Sequence, residues 1–251
     1  MCGRYLIISS PEAIRRLFGY PEQPNFPPRY NVAPTQPVPI VRLAQGKREF
    51  ALVRWGLIPP WVKDPRSFSL LVNARSESVN DKPAFRNAMR RRRCLVPADG
   101  FYVWKEDGRR KRPYCVRPRG GPIAFAALWE TWMGPNGEEM ETAIIVTTAA
   151  KGALACLHER VPVIVPPEAF DLWLNCSEVD SITAAAALFV PPPEGLLEAY
   201  EISPAVNRTE NDGPNLIAPV EPPQPAAGAE AAAPVRTKRA LKKDERQPSL
   251  F

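Results

Sequence analysis

Thirty-one prolines in 251 residues, about one in eight, constrain this chain more than any other feature. Proline locks φ, lacks an N–H to donate and breaks helix interiors, so long helices are disfavoured and short strands joined by irregular loops are expected. Runs rich in β-branched and aromatic residues predict strands at Tyr5–Ile8, Val38–Leu43, Phe50–Trp55, Phe101–Trp104, Pro113–Arg117, Ile123–Trp129, Thr142–Thr147 and Pro162–Val165. Helix starts are signalled by Ser10-Pro11, by Lys82-Pro83 ahead of AFRNAMRRRR, by Pro166-Pro167 ahead of EAFDLWL, and by Ser177 as a cap for EVDSITAAAAL. The expected fold is α+β: a predominantly antiparallel, barrel-like sheet with a few short helices.

With 45% hydrophobic and 24% charged residues, the composition is that of a soluble globular protein. There is no apolar run of ~18 residues, and the N-terminus lacks a charged n-region and a cleavable h-region. A cytoplasmic protein is expected, with no membrane partner. The five cysteines have no C-x-x-C spacing and His158 is the sole histidine, so neither a zinc site nor a disulfide framework is expected, nor any metal or organic cofactor. Of the net +6, residues 1–220 carry +4, which is compatible with a polyanionic partner or with ordinary solvated side chains. The Pro/Ala-rich stretch from Glu221 to Val235 has no aromatic residue, so we expect a folded domain at 1–220 followed by a flexible tail at 221–251.

Cys2 carries distinctive chemistry. Methionine aminopeptidase trims Met1 when the second side chain is small, and trimming here exposes a free α-amine beside a thiol on one residue. The amine, with an ordinary pKa of ~7.7–8.0, is partly neutral at physiological pH and condenses with an aldehyde. The thiol then closes a thiazolidine ring, which no internal cysteine can do because its nitrogen is held in an amide. Position alone leaves open that Cys2 is merely a tolerated second residue.

Cys2 comes with company: MCGRY from Met1, RYNVAPTQPVPIVR from Arg29, WGLIPPW from Trp55, VNARSES from Val72, RCLVPADGFYVW from Arg93, IVTTAA from Ile145, LHERVPVIV from Leu157 and ISPAVNRTENDGPNLIAPV from Ile202. In this order and across residues 1–220, these segments resemble the SRAP family (SOS response-associated peptidase). The resemblance implies a protein that recognises abasic sites in single-stranded DNA, at replication forks on the nucleoid, and bonds to the sugar aldehyde through its N-terminal cysteine, with a possible strand-cleaving lyase activity.

The resemblance also assigns roles. It makes Cys2, Asn73 and His158 catalytic: the Asn73 amide orients the sugar or the cysteine, and His158, in His-x-Arg-x-Pro, moves protons near neutral pH. Arg4, Arg75 and Arg160 match phosphate-contacting arginines, whose planar fork suits that task. Trp61 and Trp104 suit either stacking on unpaired bases, worth ~1–3 kcal/mol each, or packing in a core. Pro34 and Thr147 align with residues lining the DNA cleft. The family's usual glutamate is replaced by Val103, which cannot carry a proton. Glu106, three residues on, would point to the opposite face of a continuous strand. The expectation is that the crosslink still forms while its release or strand cleavage is slowed. The runs Arg86–Arg93, which ends in four consecutive arginines, and Arg109–Arg112 fit solvated ends better than a DNA-facing stripe, because consecutive helical residues point in different directions.

Gln247, Leu250 and Phe251 end the chain in QPSLF, which looks like the bacterial sliding-clamp binding peptide. Two readings compete with aldehyde capture: an N-terminal-cysteine hydrolase, either thiol peptidase or glutamine amidotransferase, and a DNA binder in which Cys2 is incidental.

Overall fold

The computed structural model describes residues 2–108, 110–177 and 180–220. In chain order the strands are β1 Tyr5–Ile7, β2 Arg29–Val32, β3 Pro37–Ala44, β4 Lys47–Trp55, β5 Asn73–Arg75, β6 Arg93–Ala98, β7 Gly100–Asp107, β8 Arg110–Pro118, β9 Ile123–Met133, β10 Glu139–Ala149, β11 Arg160–Pro162, β12 Ile164–Val165 and β13 Leu197–Glu201. The helices are α1 Pro11–Phe18, α2 Arg86–Arg91, α3 Gly152–Ala155, α4 Phe170–Leu174 and α5 Ser181–Ala186, all short as the proline content demands.

Strands β10, β4, β3, β6 and β9 pair in that order and close when β9 returns to β10, making a five-stranded barrel. Every pair in it is antiparallel except β4–β10, which runs parallel through Thr142↔Arg54. A second, wholly antiparallel sheet has the order β13-β8-β7-β1-β2. This is the expected α+β, mainly antiparallel barrel. One face of the second sheet (Tyr5, Ile7, Phe101, Val103, Val116) joins the barrel's main core, and the opposite face (Leu6, Tyr102, Cys115) packs on Ile202 and Val206. Both faces are covered, so alternation sends side chains into two different cores.

Two predicted helix starts are corrected. Lys82-Pro83 does not open α2, which begins at Arg86 after Phe85, without a side-chain cap. Ser177 does not cap α5: its N–H and hydroxyl both donate to Asn175 Oδ1, at 3.0 and 2.6 Å, and the helix starts at Ser181. Strands β2, β5, β6 and β13 were not among the predicted ones. β6 is buried at all six positions, so it shows no alternation, and β5 is only three residues long. Gln247, Leu250 and Phe251 lie outside the described residues.

Candidate functional site

The N-terminal segment is held from both sides. β1 pairs with β2 and β7, and the buried Asp99, between β6 and β7, accepts from the backbone N–H groups of Ile8 and Ser9 at 2.6 and 2.7 Å and from the Ser9 hydroxyl. This anchoring leaves Cys2 fully buried in the main core, its thiol 3.8 Å from the Arg4 carbonyl. Burial pushes the thiol up to about 12, against smaller lowering effects of the chain's N-terminal charge and the Arg4 carbonyl contact. The thiol is therefore protonated at neutral pH and inert to casual oxidation.

A cleft of about 810 Å³ brings together Arg4, Trp104 and His158, with the β7–β8 hairpin (Glu106, Lys111) and Cys156 on its walls. Arg4 commits its fork within the protein: Nη1 donates to Asn31 Oδ1 at 2.8 Å and to the Val206 carbonyl at 2.9 Å, and Nη2 to the Asn207 carbonyl at 3.2 Å. Asn31 in turn donates to the carbonyls of Arg208 and Asn211, so this pair staples the segment after β13 to the cleft floor. Trp104 is half-buried, and its indole N–H donates to Asn207 Oδ1 at 2.8 Å.

His158 Nδ1 lies 3.0 Å from the Arg160 N–H and 3.1 Å from the Arg160 carbonyl. Either tautomer is accommodated: Nδ1 accepts from the amide with the proton on Nε2, or donates to the carbonyl with Nε2 as the base. Burial lowers the imidazole's pKa most, and the N-terminal charge lowers it further, against the Arg160 backbone, Glu159 and Glu106. His158 is thus neutral at pH 7.

The remaining predicted residues gather around β10. Its C-terminal half runs between β5 and β11, with Ile145↔Asn73, Thr147↔Arg75, Thr147↔Pro162 and Ala149↔Arg160 in register. Asn73 holds both polar atoms of its amide buried without a partner, a costly arrangement that suits a group awaiting a ligand. Arg75 is exposed. Thr147 is buried, with its hydroxyl 3.4 Å from the Ala74 carbonyl. Arg160 grips Glu77 with two hydrogen bonds of 2.6 and 2.9 Å and donates to the Thr147 carbonyl at 2.6 Å. Trp61 is 52% exposed, which leaves it available for stacking, and Pro34 is half-buried in the turn after β2.

The structure therefore assembles two groups: Arg4, Trp104 and His158 around the cleft, and Asn73, Arg75, Thr147 and Arg160 along β10. Sequence reasoning missed Glu77 as the partner of Arg160, and Tyr5, whose buried hydroxyl has no partner and whose phenol is raised chiefly by burial and in part by Cys2. Tyr5 packs edge-on to Trp55, 5.4 Å between ring centroids, and Trp55 Nε1 donates to the Val72 carbonyl beside Asn73. This links the Cys2 neighbourhood to β5. Only the MCGRY and VNARSES segments themselves signalled these residues. As Glu106's spacing predicted, β7 continues unbroken past it: Val103 faces the core that holds Cys2, whereas Glu106 is exposed and lines the cleft. Among the described residues no His, Cys, Asp or Glu cluster is suited to a metal ion, and no helix is long and apolar enough to cross a membrane.

Comparison with known proteins converges on one group. The chain is 35% identical over 222 residues to the Abasic site processing protein YoqW of Bacillus subtilis (strain 168), covering 86% of this chain and 99% of that one. It is 31% identical over 231 residues to the Abasic site processing protein YedK of Escherichia coli (strain K12), covering 88% and 100%. A crystal structure of a Bacteroides thetaiotaomicron protein superposes with a TM-score of 0.77 at 25% identity, over 87% of this chain and all of that one. The family model for SOS response associated peptidase (SRAP) matches residues 1–209, and with it the buried Cys2, the Asn73 strand and His158: this chain belongs to the SRAP family.

Proposed function

We propose that this protein captures abasic sites in single-stranded DNA by bonding through Cys2 to the ring-opened sugar aldehyde, shielding the lesion during the DNA damage response. Methionine aminopeptidase first removes Met1. The freed amine adds to the aldehyde carbon, water leaves, and a Schiff base remains. The Cys2 sulfur then adds to the same carbon while a proton reaches the nitrogen, closing the thiazolidine with no net oxidation or reduction.

One observation carries the reading: Arg4, whose carbonyl the Cys2 thiol meets, lines the same cleft as His158, which brings the N-terminal segment and a proton carrier to one neighbourhood. A buried thiol needs a base to attack, and a neutral imidazole is one. The unpartnered Asn73 amide offers a donor and an acceptor for the sugar hydroxyl and the reacting nitrogen. Exposed Trp61 and Arg75 suit bases and phosphates of a single strand. The names of the relatives, abasic site processing proteins, supply the lesion.

The test is incubation with a single-stranded oligonucleotide bearing one abasic site, followed by denaturing electrophoresis and intact mass. The expected product is the Met1-trimmed chain plus the oligonucleotide minus one water, lost entirely in Cys2→Ser. An adduct that persists in Cys2→Ser, or no adduct in the parent, overturns the proposal.

A further inference from the structure

Apart from the His158 cleft, β4 and the loop after it enclose a pocket of about 260 Å³. Its polar lining is Thr35, Arg54, Arg66 and Ser69, Phe68 is its aromatic wall, and no carboxylate lines it. Arg54 is half-buried, and its Nη1 donates to the Gly56 carbonyl at 3.0 Å. Burial alone perturbs this guanidinium, whereas Arg29, Arg42, Arg92 and Arg160 each meet a carboxylate within 3.2 Å. Among the described residues no carboxylate pairs with Arg54, so its half-burial carries a desolvation cost that no carboxylate of the pocket offsets.

Thr35, at the pocket's mouth, has φ 73°, the left-handed region that a β-branched residue avoids. Its N–H is held by the Trp55 carbonyl at 2.7 Å. Strain of this kind, about 1–3 kcal/mol, gathers at ligand clamps. The pocket also adjoins two of the candidate residues, Pro34 and Asn73. Thr35 follows Pro34, and the Leu57↔Leu71 bridge ties the far wall to the segment entering β5 at Asn73.

We propose that this pocket is a phosphodiester subsite: Arg54 and Arg66 take a backbone phosphate of the single strand beside the abasic sugar, and the Phe68 ring meets the adjoining sugar. The inference rests on the reading of this protein as a binder of abasic single strands.

The test uses the full chain and a single-stranded oligonucleotide with a tetrahydrofuran abasic analogue, which lacks the aldehyde and so reports equilibrium binding. Log affinity is measured against log salt for the parent, Arg54→Gln, Arg66→Ala and, as a control on α1, Arg16→Gln. Losing one phosphate contact to a single strand lowers the magnitude of the slope by about 0.7. A decrease of up to that size is expected in both pocket variants and not in the control. A neutral methylphosphonate placed in turn at each flanking phosphate should weaken the parent, and at one of those positions weaken Arg54→Gln and Arg66→Ala less than it weakens the parent. Parent slopes in both pocket variants, or an equal decrease in Arg16→Gln, overturn the subsite. Arg66 is exposed, so its variant decides the matter should Arg54→Gln fail to fold. The parent is also challenged with an aldehyde-bearing abasic oligonucleotide. A missing adduct sinks the covalent reading, whereas a normal adduct with unchanged slopes sinks the subsite alone.

Discussion

At the scale of single residues, Val103 gives the proposed capture chemistry its sharpest test. Its side chain is 3% exposed and lies in the same core as Cys2. A carboxyl placed there would be desolvated, hence raised in pKa and able to donate a proton. Val103→Glu is expected to leave crosslink formation intact and to speed reversal or strand cleavage on abasic single-stranded DNA; unchanged formation, reversal and cleavage rates would refute this. His158 supplies a second test, through stability. Its folded pKa is lowered, chiefly by burial, so below the ordinary imidazole value of ~6.5 the unfolded chain binds the proton more readily than the folded one. Stability should be full above that value and fall as pH drops towards the lowered one. Thermal midpoints between pH 7 and 5 should decline more steeply in the parent than in His158→Gln, and parallel curves would contradict the assignment. Cys2, Asn73 and His158 were all legible as motif residues. The bidentate hold of Glu77 on Arg160 was not, because 83 residues separate the two.

At the scale of elements, β7 approaches β8 and β1 closely and so fixes the N-terminal segment. A Cβ at Gly100 would sit 2.6 Å from the Val116 carbonyl and 3.0 Å from Leu6 Cδ2, so only glycine lets the strands meet here. Gly100→Ala should cost about 1–3 kcal/mol and impair crosslinking by shifting β1; a denaturant midpoint equal to the parent's would show that the strands yield freely. Arg93 plays a comparable part elsewhere. Fully buried, it donates to the carbonyls of Met89, Trp173 and Asn175, where α2 and α4 end, and its charge meets the negative ends of both helix dipoles. Within the Arg90–Arg93 run, then, one arginine is a core staple. The strands that run patterns predicted were those with β-branched or aromatic stretches. β6 escaped because a strand buried on both faces has no polar alternation, and β5 because three residues carry too little pattern.

At the scale of the whole molecule, one barrel and one flanking sheet present the candidate residues, and sequence alone points to a further partner beyond them. Removing residues 247–251 is expected to abolish binding to a bacterial sliding clamp in vitro while leaving the DNA adduct unchanged; a tail peptide that fails to bind the clamp disposes of this idea. The sequence by itself determined that helices would be short, that strands would dominate and that a 1,2-aminothiol is one proteolytic cut away, because these follow from proline geometry, side-chain shape and covalent chemistry. It also carried the family, through ordered segments spread over the domain. Tertiary structure alone decided that Arg4 staples the cleft floor, that Asn73's amide is left without a partner among the described residues, and that Arg54 lines a pocket without a carboxylate beside a strained threonine. The reason is physical: burial and hydrogen-bond partnership depend on which distant segments meet, and no local pattern of residues encodes that.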